Sequence, residues 1–199
     1  MPARSKPGIR FVKSARREAN VDGVLTKLEL SVEERRYLFG QGALGAALVN
    51  ILINGAIGWA ITHGLRTFPV WKLPGAAPDL VATAFGVTFG TCIAAKFAVR
   101  IDIARGKLAV PSASPAPRKS ERSLIPRSLL VRSVWLGVVS VPVFAIPVLL
   151  ALYVAGSDAL ERGVFIALKA GFSAVQAALV TPYIMLAALS DMSRRADLK

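Results

Sequence analysis

Five polar side chains lie in otherwise apolar stretches, where they must pair or bind something: Asn50, Asn54, Lys169, Ser173 and Gln176. At 100° per residue, Asn50 and Asn54 share a sector of about 80° with Ala43, Ala47 and Gly58. Leu44, Leu48, Leu52 and Trp59 gather on the opposite side. Small residues permit close helix approach, and lipid offers an amide no partner, so the stripe should face other helices. There the two amides either line a path for a solute or ion or bridge between helices, each bridge contributing about 0.6–2 kcal/mol. Bridging is the preferred reading.

A second stripe holds Lys169, Ser173, Gln176 and Tyr183 within about 80°, beside a small-residue face of Ala167, Gly171, Ala174 and Ala178. A lysine in such surroundings needs a counter-charge, an escape to the boundary, or a ligand. Lys169 lies roughly 9 Å inside its apolar run, and its stem covers much of that distance toward Asp79, Asp158 or Glu161. The alternative is a buried cation that binds an anionic substrate or lipid headgroup.

Other chemistry is poorly supported. His63 and Cys92 are the only residues of their types, which excludes an intrachain disulfide and leaves a zinc site short of ligands. No metal or cofactor is implied. The long apolar runs contain no carboxylate, so an intramembrane enzyme lacks its acid–base groups. Lys96 sits near the end of its run and reaches outward. Gly86 and Gly90, flanked by Thr83, Thr88 and Thr91, form a GxxxG pair that reads as a helix-packing contact.

These residues are positioned by long apolar runs. The chain has 199 residues, 54% of them hydrophobic, yet carries a net charge of +13. Apolar and basic residues are segregated along it, as in membrane spans and their flanks, and this argues against a nucleic-acid-binding surface. Runs at about 37–63, 80–99, 134–155 and 163–189 each suffice to cross roughly 30 Å of hydrocarbon. Pro142 and Pro147 should kink the third, Pro182 lies near the end of the fourth, and Trp59, Trp135 and Tyr153 fall toward span ends, where amphipathic rings prefer the interface. Twenty Lys and Arg flank one side against three on the other, so both termini are expected in the cytoplasm.

The expected fold is therefore all-α, an integral-membrane four-helix bundle of two hairpins. A basic cytoplasmic segment (1–36) precedes the first hairpin (37–107). A flexible Pro/Ser-rich linker (108–126) joins it to the second (127–191), and a short tail (192–199) follows. The first segment is too long and polar for a cleavable signal, and Thr26/Glu29 and Ser31/Glu34 fit capping boxes within it. The basic flanks should attract anionic lipid headgroups.

The stretches GALGAALVNILINGAIGW, FPVW and PDLVATAFGVTFGTCIAAKFAVR, with FIALKAGFSAVQAALVTPYIMLAALSD, resemble a group of small bacterial four-span inner-membrane proteins that has no assigned activity. The resemblance covers residues 37–107 and 124–191 and implies the same architecture and an inner-membrane location, without supplying chemistry. The expected role is non-catalytic: scaffold, assembly partner or regulator, with its own copies or another membrane protein as the expected partner. The competing expectation is a small oligomeric permease or channel, lined by Asn50, Asn54, Lys169 and Gln176.

Overall fold

The structure, a computed structural model, describes residues 36–106 and 128–196. The capping boxes, nearly all of the basic segment and the linker 108–126 lie outside these residues. The fold is all-α, with four helical spans long and apolar enough to cross a membrane: Tyr37–Ile61, Ala76–Ala104, Leu129–Val154 and Arg162–Leu189.

Span one begins with a π-helical turn, Tyr37–Gly42, and continues as α1, Ala43–Ile61. Span two is the single helix α2, Ala76–Ala104. It starts earlier and ends later than its apolar run, which corrects the expectation that no acid lies within a span: Asp79 and Asp102 are both helical. Pro78 and Asp79 resemble loop residues, yet a first turn tolerates proline, whose missing N–H has no partner there anyway, and favours a carboxylate at the positive end of the helix dipole.

Span three is interrupted where the prolines predict. The helix α3, Leu129–Ser140, passes into a π-helical turn, Val141–Ala145, and resumes as α4, Ile146–Val154. Pro142 brings no N–H and crowds the preceding turn, and the wider π turn accommodates it. Ser157 N–H then donates to Leu152 O and Gly156 N–H to Tyr153 O, closing the helix with Gly156 at φ +64°. Span four lies within α5, Arg162–Ala196, which keeps Pro182 in its interior.

The extensive interfaces join span one to span four, span four to span two, and span two to span three. Span four thus lies between spans one and two, although these are neighbours in sequence. Apolar residues cover the outside: Leu44, Leu48, Leu52 and Trp59 are each more than half exposed, as expected, while Asn54 and Gly58 are buried. An apolar surface this large suits lipid and would be costly in water.

One expectation about faces fails. Gly86 and Gly90 are exposed, and no described atom lies within 4 Å of a Cβ built on either, so the GxxxG pair is not an internal packing contact. The close contact between spans two and three is made instead at Gly137, where a Cβ would stand 2.8 Å from the Phe85 ring. On span four, Ala167 and Gly171 point outward, and of that small-residue face only Ala174 is buried.

The loops 62–75 and 155–161 meet at one end of the molecule. Strand β1, Thr67–Pro69, pairs antiparallel with β2, Ala159–Glu161, and Val70 N–H donates to Asp158 O beyond the ladder. Phe68, Val70, Ala76, Leu160 and Phe165 form a core beneath it, with the two phenyl rings 4.6 Å apart. Burying each ring from water contributes about 1.5–3 kcal/mol. Gly75 starts α2 where a Cβ would collide with the Lys72 carbonyl oxygen, so only glycine fits. At the opposite end Leu38, Cys92, Val99, Ile184, Met185 and Leu189 make a second core.

Candidate functional site

A polar seam runs along the buried face of span four. Lys169 is 2% exposed. Its Nζ donates to Asp79 Oδ1 (2.7 Å), Asp79 Oδ2 (2.5 Å) and Thr83 Oγ1 (2.9 Å). Of the three partners within expected reach, Asp79 is the one used. The stem passes Gly58 of span one, where a Cβ would stand 3.3 Å from Lys169 Cδ. The lysine therefore joins three spans, packing on one and pairing with another. An ammonium has three donors, and all three are engaged.

Further along the seam, Gln176 is fully buried, and its Nε2 donates to Ala84 O (2.6 Å) and Thr88 Oγ1 (2.8 Å) of span two. Ser140 of span three donates to the same Ala84 carbonyl (2.6 Å), so spans two, three and four converge on one backbone oxygen. Gly137 O, 2.7 Å from Ser140 Oγ, is the alternative acceptor for the same hydroxyl proton. Gln176 Oε1 and Thr181 Oγ1 are buried and have no partner among the described residues.

Span one behaves differently. Asn50 Nδ2 donates to Ala46 O (2.9 Å), and Asn54 Nδ2 to Asn50 O (3.2 Å) and Oδ1 (3.3 Å). These bonds stay within one helix, which corrects the expectation of interhelical amide bridges. The physical reason is reach: a short amide finds the carbonyl one turn back before it finds a neighbouring helix. Besides the contact of Gly58 with the lysine stem, the two stripes meet through Ser173, whose Oγ donates to Ala170 O (2.9 Å) and lies 3.3 Å from Asn50 O. Tyr183 does not join them; it is 66% exposed, edge-on to Phe39 at 6.1 Å.

Asn54, Lys169, Ser173 and Gln176 are thus buried and Asn50 half-buried. A cavity of about 250 Å³ lies at the loop end, lined by Ile61, Phe68, Leu73, Pro74, Pro78 and Asp79. None of the five stripe residues lines it.

Two further polar ties escaped the sequence reading. Arg132, counted there among the topology-setting charges, is 5% exposed and pairs with Asp191 at 2.7 Å. Tyr37 Oη donates to Asp102 Oδ2 at 2.7 Å. Both join elements far apart in sequence at the end opposite the loops, and side-chain spacing alone carried no signal of either. Among the described residues no group of His, Cys, Asp and Glu is placed to hold a metal ion.

Comparison of the chain with family models, with curated proteins and with solved structures finds no match.

Proposed function

We propose that the chain is a non-catalytic multi-pass protein of a bacterial inner membrane, with both termini cytoplasmic, that acts as a scaffold or assembly partner for other membrane components. The observation that carries this reading is the use of the interior polar groups on one another. Lys169 is matched by Asp79 and Thr83, Gln176 by Ala84 and Thr88, and Asn54 by Asn50. Groups so matched satisfy one another, and those of span four also fasten it to span two, whereas a conducting path needs polar groups left free toward water. The outer surface of span two supports an assembly role: Ala82, Gly86, Gly90 and Ala94, each four residues apart, are all exposed. Such a face lets another helix approach closely. The charge asymmetry of the flanks supports the orientation, and their basic residues attract anionic lipid, each contributing about 1 kcal/mol near the surface.

One observation favours the competing permease reading. Gln176 Oε1, at the middle of the seam, is an acceptor with no described donor. Thiol labelling separates the two. With Cys92→Ser as background, Asn54→Cys and Ser173→Cys are expected to resist membrane-impermeant aqueous reagents from both sides. Rapid modification of both cysteines would establish a water-filled path and overturn the scaffold reading.

A further inference from the structure

Spans one and two do not share an extensive interface; both lean on span four, and the gap between them at the loop end holds the 250 Å³ cavity. Its walls are apolar, from Ile61, Phe68, Leu73, Pro74 and Pro78, with one charged group, Asp79. The rim is apolar too: Leu73 is 85% exposed and Ile61 43%. Trp59, Trp71 and Tyr153 stand exposed at the same end, which sets its depth at the headgroup region of a bilayer.

The hydrogen-bond count selects the ligand. An ionised carboxylate offers about four lone-pair sites, and Lys169 occupies one on each oxygen of Asp79. The Asp79 side chain keeps 19% exposure and lines the cavity, so acceptor capacity remains there. Lys169 has no donor left, which disfavours an anion in the cavity. The volume falls below the roughly 300–1,000 Å³ of pockets that enclose a whole small molecule, so it suits a headgroup whose chains stay outside. Lys72, exposed in the same loop, brings positive charge for a phosphate.

We propose that this cavity is a binding site for the ammonium headgroup of a phosphatidylethanolamine-type lipid, with Asp79 as the acceptor and the apolar rim against the first part of the acyl chains. Phosphatidylcholine carries the same charge but has no N–H to donate, and it is the discriminating control.

The full chain is purified in detergent and exposed to equimolar phosphatidylethanolamine and phosphatidylcholine, and bound lipid is counted by native mass spectrometry. At least a fivefold preference for phosphatidylethanolamine is expected. Ile61→Trp and Pro78→Trp each put a larger side chain into the cavity lining while both members of the ion pair remain in the chain; loss of the preference in either supports the site. Asp79→Asn should also lose it, although that variant leaves Lys169 without a counter-charge and is informative only alongside the other two. Equal retention of the two lipids, or a preference that survives both cavity-filling variants, overturns the proposal. Displacement of bound lipid by water-soluble glycerophosphoethanolamine at the same concentration also overturns it, because recognition would then need no membrane lipid.

Discussion

Spans one and four each present a stripe of polar and small residues to the interior, and in sequence the stripes look alike. In span four, Lys169 and Gln176 reach across to Asp79, Thr83, Ala84 and Thr88 of span two. In span one, Asn50 and Asn54 turn back on their own helix. The difference is one of length. A lysine or glutamine carries its donors far enough from its axis to bond a neighbour, whereas an asparagine is within easy reach of its own i−4 carbonyl. A polar stripe therefore identifies the buried face of a helix but does not say whether that face holds another helix by hydrogen bonds. Span one is held mainly by fit, with Gly58 against the lysine stem and Gly42 against Met185.

This contrast orders the expected effects of substitution on the unfolding free energy of the full chain, measured by titration with denaturing detergent in mixed micelles. The largest belongs to Lys169→Met, which strands Asp79 beside a buried apolar side chain; a loss of about 3–5 kcal/mol is expected. Next is Gly58→Val, which drives two methyl groups toward the lysine stem and Ile166 and should cost about 1–3 kcal/mol through overpacking. Gln176→Leu removes two bonds across the interface but also removes the unpartnered Oε1, so a loss of about 1–2 kcal/mol is expected. Asn54→Leu should be the mildest, below about 0.6 kcal/mol, the average for one interhelical bond. A cost for Asn54→Leu equal to that for Gln176→Leu would erase the distinction between the stripes.

The four spans, the exposure of Leu44, Leu48, Leu52 and Trp59, and the inward face of Asn54 were legible because 3.6-residue periodicity assigns each side chain to a face of its own helix, whereas for Lys169 it left escape to the boundary and burial both open. Asp79 was legible as one of three candidates for Lys169, since only chain distance was needed. What periodicity lacks is the position of the next helix. Gly86 and Gly90 have a packing spacing, but the neighbour lies on the other side, at Gly137. Tyr183 keeps the phase of the buried stripe, yet at its level the adjacent element is the π-helical start of span one, and the ring lies on the rim against Phe39. The β ladder was invisible because three-residue strands carry no alternation to read, and Ser140 because its bond depends on where span three meets Ala84.

The claim that the seam fastens helices is tested most directly by a double-mutant cycle on Lys169 and Asp79, with unfolding free energies measured for the parent, Lys169→Met, Asp79→Leu and the double variant. Strong coupling is expected: each single change costs several kcal/mol, and the double variant recovers about 2–3 kcal/mol relative to their sum, because an apolar pair leaves no unpaired charge. Additivity within about 0.5 kcal/mol would contradict it, showing that the two residues act independently and that the seam does not hold span four to span two.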